Sequence, residues 1–135
     1  MTLSTEDKIL MRDLHLEKAR VFLTDADNNF SNGALSTAAS RSYYAVFHAI
    51  HALFVMDGIY AKSHDGLTSL FSLHYIKTNR LDAKFGRFVS IMENLREKAD
   101  YDVLFDVTQE ALERMKPQSH ELLAAVEQVL LSACL

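Results

Sequence analysis

Arg41, Tyr44, His48 and His51 follow one another at intervals of three, four and three residues. At about 100° per residue this spacing puts all four on one side of an α-helix. A histidine titrating near neutrality can move protons, and an arginine is a fixed cation that can grip an anion through paired N–H donors. A plainer reading stands beside that one, in which Arg41 is solvated or ion-paired and the histidines are satisfied packing residues. Metal chemistry is not indicated. No Glu has a His three residues after it, as a di-iron bundle would require, and His48 and His51 alone make a poor site. HExxH, a glycine-rich phosphate loop and a GxSxG elbow are all absent, and no cofactor is expected.

The elements that must position these residues read as helices. Residues 4–28 carry Ile9, Leu16, Ala19 and Leu23 at helical spacing, with Ser4 and Asp7 resembling a capping arrangement and the segment DNNFSNG as a stop. A second helix is predicted over residues 31–57, with Leu35, Ala39, Tyr43, Val46, Ile50 and Leu53 as its apolar stripe and Gly58 as its stop. The chemical row lies roughly opposite that stripe and so faces a cleft, a partner or water. Alanine at Arg41 or His48 is therefore expected to leave stability nearly unchanged. Ser63 can cap a third helix reaching Lys77, and Leu81, Phe85, Phe88, Met92, Leu95 and Ala99 mark a fourth after a break near Thr78 and Asn79. A last helix starts near Thr108, is kinked or split by Pro117, and restarts with Leu122, Val126, Val129 and Ala133. The expected fold is all-α, an up-and-down bundle of about five helices.

Length and composition fit that reading. A chain of 135 residues suits a single domain over 1–135, and four Gly and one Pro are too few for the turns of a many-stranded sandwich or barrel. The lone Cys134 has nothing to pair with in the chain. The run AVFHAIHALFVM is too short to span a bilayer and the first residues lack the basic, apolar pattern of a signal peptide, so a cytoplasmic location and no membrane contact are expected. A formal net charge of -4 gives no general attraction to phosphate. Any nucleic-acid contact then needs a local basic surface. Arg80, Lys84 and Arg87 recur at four and three residues as one such row, or as an ordinary solvated helix face. Lys62 and His64 in the AKSHDG segment border the same cleft or are simply exposed. Asp100, Tyr101 and Asp102 suit local bonds at a helix end.

The context RSYYAVFHAIHALF, the following KSHDGL and the REKADYD segment at 96–102 together resemble the HEPN domain family, in particular its small single-domain bacterial and archaeal members. The resemblance covers nearly the whole chain. It implies a five-helix bundle that forms a homodimer, is often encoded beside a minimal nucleotidyltransferase-type antitoxin, and in many members cuts RNA without a metal in toxin-antitoxin or defence systems. Arg41 and His48, separated by six residues, are the positions that carry over as catalytic. Ser42 loosely fits the polar residue that usually follows the arginine. Tyr44 and His51 share the cleft side. Ala49 and Ile50 follow His48, so the tyrosine found two residues after the histidine in one subfamily is missing. With RNA as substrate, His48 would exchange protons with the 2′-hydroxyl while Arg41 holds the phosphate charge. The alternative is a non-catalytic module that holds a nucleotide or supports a partner nucleotidyltransferase, and a plain dimeric scaffold is a third possibility.

Overall fold

A computed structural model describes residues 3–133, without the side chains of His64, Asp65 and Ala133; Cys134 lies outside the described residues. Five α-helices follow one another and no strand occurs among the described residues. They are α1 (Thr5–Ser31), α2 (Leu35–Asp57), α3 (His64–Phe71), α4 (Ala83–Tyr101) and α5 (Gln109–Ala133), with α3 running on into a π-helical turn over Ser72–Ile76.

Each boundary has a local cause. The Ser4 hydroxyl accepts the amide N–H of Asp7 at 3.1 Å and starts α1. The helix ends inside the DNNFSNG segment as expected, three residues later than Asn28. Asn29 donates its side-chain amide to the Asp25 carbonyl at 2.8 Å, and α1 runs on to Ser31 before Gly33 turns the chain at φ +77°. Helix α2 accordingly starts at Leu35 rather than Ser31, and it ends as expected at Gly58, which takes the left-handed conformation at φ 70°. Ser63 caps α3 through the Gly66 amide at 3.0 Å. The break before α4 falls at Asn79, whose φ is 60°.

The largest departure concerns α5, which is continuous through Pro117. The ring sits on the exposed side, where water can serve the carbonyl that loses its partner. Two side chains bond to carbonyls of the same turn: Gln118 donates to the Arg114 carbonyl at 2.9 Å and the Ser119 hydroxyl to the Met115 carbonyl at 3.0 Å.

Helix α2 is the central element, packing against α1, α4 and α5. Its core side buries Ala38, Ala39, Tyr43, Val46, Ala49, Ile50 and Leu53, and small alanines let the neighbours approach closely. From α4 come Phe85, Phe88, Val89 and Met92, and from α5 Leu112, Met115, Leu122 and Val126. Of the positions expected to face the core on α1, Leu16, Ala19 and Leu23 are buried while Ile9 is exposed. Arg20 reaches Glu127 at 3.2 Å and His120 reaches Asp27 at 2.8 Å, which aligns α1 and α5 in opposite directions. Among the described residues no helix is long and apolar enough to cross a membrane.

Candidate functional site

Helices α1 and α2 form an antiparallel pair, and the side of α2 bearing Arg41, Tyr44, His48 and His51 is turned toward α1. These four side chains are half-buried rather than clear of the core. Two residues of α1 organise them. The Phe22 ring lies parallel to His48 at 5.5 Å with only 4° between planes, and the Arg41 guanidinium sits over the same ring at 5.5 Å. His15, two turns earlier on α1, brings its Nδ1 to 3.0 Å from Nδ1 of His48. Its ring also stacks on His51 at 5.4 Å. Tyr44 completes the row against Phe22 at 5.9 Å, and Phe47 packs on His51 at 4.3 Å.

This packing changes the electrostatics of the central histidine. Burial, then the neighbouring His15, Lys18 and His51, lower the His48 pKa from 6.5 to about 4. His15 is lowered too, by burial and by Lys18. At neutral pH both rings are uncharged, so His48 has a lone pair available but holds a proton poorly. Among the described residues Arg41 makes no ion pair, which leaves its guanidinium donors for an anion.

The other candidate residues lie elsewhere. Ser42 is 6% exposed and points to the core side of α2, about 100° round the helix from Arg41, so it does not belong to the row. Lys62 is exposed in the loop before α3, and the side chain of His64 lies outside what is described. The basic row splits. Arg80 bonds to Asp57 at 2.9 Å and covers the Tyr75 ring at 4.7 Å, while Lys84 bonds to Glu121 at 2.6 Å. Arg87 is exposed beside Thr68, Ser72 and Ile91 in a shallow groove of about 590 Å³. Two of these three cations are thus engaged by carboxylates, and the row is not a continuous basic track. At the end of α4, Asp100 meets Arg96 at 3.5 Å and Asp102 accepts the Leu104 amide at 3.0 Å, so both bond locally, whereas Tyr101 is exposed. Among the described residues no three His, Cys, Asp or Glu side chains converge as metal ligands.

Sequence reasoning missed His15, Lys18 and Phe22. For His15 and Phe22 the signal was a matching interval: they are seven apart on α1, as Arg41 and His48 are on α2. Seven residues are close to two full turns, so two antiparallel helices meet at both pairs at once.

Residues 13–129 match the family model of the HEPN domain. A protein of Methanocaldococcus jannaschii named "Putative toxin MJ0142" is 31% identical over 117 residues, covering 87% of this chain and 80% of its own length. A second protein of that organism, "Putative toxin MJ0605", is 34% identical over 86 residues, 64% of each chain. A "UPF0332 protein" of Thermotoga maritima is 28% identical over 113 residues, covering 84% of this chain and 86% of its own length. The helical bundle, the Arg41 and His48 row on its central helix and a match over most of the sequence lead to one conclusion: this chain belongs to the HEPN domain family.

Proposed function

We propose that the chain is a metal-independent RNA endonuclease toxin that acts in the cytoplasm as part of a toxin-antitoxin or defence system. The observation that carries this reading is the shared ring: Phe22 holds both the His48 imidazole and the Arg41 guanidinium at 5.5 Å. Both side chains are thereby anchored on one ring of α1, which supports a paired role for them. In the reaction, His48 Nε2 takes the proton of the RNA 2′-hydroxyl, whose oxygen bonds to the neighbouring phosphorus. Arg41 holds the charge on the non-bridging oxygens. The bond to the 5′-oxygen breaks, and that oxygen leaves with a proton from His48 of a second copy across a two-fold axis. The phosphate's own negative charge opposes the burial that otherwise keeps that second ring neutral.

Partners follow from this scheme. A homodimer supplies the acid and the base, and a minimal nucleotidyltransferase-type antitoxin restrains the activity by covering the Arg41 and His48 side. The relatives named as toxins support a toxin context. Purified protein should cut RNA in EDTA and leave 2′,3′-cyclic phosphate ends, and His48→Ala and Arg41→Ala should each lower the rate by about 100-fold or more. Cleavage by His48→Ala at the wild-type rate, or its loss in EDTA, removes this reading. The depth at which α1 covers His48 favours one other role, a binding module that supports a partner nucleotidyltransferase. A wild-type chain that binds such a partner and never cuts RNA selects it.

A further inference from the structure

The contact between His15 and His48 joins two nitrogens of the same kind, Nδ1 to Nδ1 at 3.0 Å. A neutral imidazole carries one N–H, so this contact is a hydrogen bond only when one ring is protonated at Nδ1 and the other is not. The pair must therefore choose between two arrangements. In one, His15 donates and the His48 proton sits on Nε2. In the other, His48 donates and its Nε2 carries the lone pair.

Only Nε2 of His48 remains for a substrate, because its Nδ1 is occupied by His15. We propose that His15 is a positioning residue: it accepts the Nδ1–H of His48 and so fixes His48 with an unprotonated Nε2 turned to the RNA. The inference rests on the ribonuclease reading for the direction of the bond, since a general base needs its lone pair on the outer nitrogen. Packing gives the bond a fixed frame. Phe22 lies flat against His48, and His51 lies against His15 at 5.4 Å, so neither ring turns without losing a stacked partner. His15 resembles the orienting member of a catalytic triad, but it is uncharged and does not raise the proton affinity of its partner.

The charged and titratable groups facing His48 are His15 and Lys18 from α1 and His51 and Arg41 from α2. Removing His15 takes away one of the groups that lower the His48 pKa. The acid limb of the rate profile should then move to higher pH whichever way the hydrogen bond runs, so the tautomer is what separates an orienting role from packing.

Nitrogen-15 NMR of the histidine rings at pH 7 reads the tautomer directly. The wild-type chain is expected to show His48 protonated at Nδ1. His15→Ala should release it to the Nε2–H form that free imidazole side chains favour, and His15→Gln, whose amide oxygen accepts the same proton, should keep it at Nδ1. RNA cleavage should fall about 10- to 100-fold in kcat with little change in KM for His15→Ala. His15→Gln should recover most of that loss, with its acid limb shifted upward. A wild-type His48 protonated at Nε2, or a tautomer indifferent to His15→Ala, overturns the inference. A wild-type chain with the expected tautomer and no ribonuclease activity leaves the histidine pair standing and removes the ribonuclease reading instead.

Discussion

At the residue scale the pair of half-buried histidines ties chemistry to stability. An unfolded histidine binds its proton near pH 6.5, whereas folded His48 does so only near pH 4. Between those values the unfolded chain holds more protons, so stability rises with pH across the window. The contribution is present in full above pH 6.5 and is lost as pH falls toward 4. The melting temperature should therefore drop between pH 7 and pH 5, where most carboxylates are still ionised, and His48→Ala should flatten that slope. A slope identical in the variant would place the acid sensitivity in other groups. His48→Ala also removes a ring that stacks on Phe22, so at pH 7 it should cost about 1 kcal/mol rather than nothing. The sequence revealed the row because Arg41, Tyr44, His48 and His51 lie on one helix and their spacing alone puts them together. It did not reveal His15, because a contact between helices depends on their register, and one sequence contains that register only as a matching seven-residue interval.

At the scale of the elements, helices with a chemical start or stop were legible and those decided by tertiary contact were not. Ser4, Gly58 and Ser63 mark ends through their own backbone or side-chain chemistry. Pro117 signals a break, yet α5 runs through it unbroken with the ring on its exposed side. Pro117→Ala should restore a backbone hydrogen bond and relieve the ring clash, raising stability by about 1–2 kcal/mol once the greater freedom of the unfolded chain is deducted. An unchanged or lower denaturation midpoint would mean that α5 gains from the proline. The π-helical turn was equally hidden, since nothing local in SLHYI marks it. It buries Tyr75 completely beneath Arg80, and the Tyr75 hydroxyl donates to Asp57 at the end of α2. Tyr75→Phe keeps the ring and removes that donor, so a loss of about 1–2 kcal/mol in chemical denaturation is expected. A neutral substitution would assign the anchoring of this turn to packing alone.

At the scale of the whole molecule the question is what covers the outer side of α1. Leu10, Leu14 and Val21 are 58%, 47% and 54% exposed, and their intervals of four and seven place them in one row. Leu14 and Val21 line a depression of about 360 Å³ that also contains Lys18 and Phe22, so the apolar row borders the ring that holds Arg41 and His48. An exposed apolar row beside Arg41 and His48 suits a second copy of the same chain, because a two-fold axis there would bring two such sets together. Pairing about such an axis would also bring two Arg41 guanidinium groups to one cleft, although the net charge of -4 per chain doubles with them. Light scattering at micromolar concentration should give about twice 15.3 kDa. Leu14→Glu with Val21→Glu puts like charges across the axis and should yield a folded monomer with unchanged helical content. If acid and base come from different copies, that monomer should lose RNA cleavage while its His15 and His48 tautomers stay as in the wild type. A monomer that cuts RNA at the wild-type rate would confine both proton transfers to one chain and leave the exposed row of α1 to a different partner.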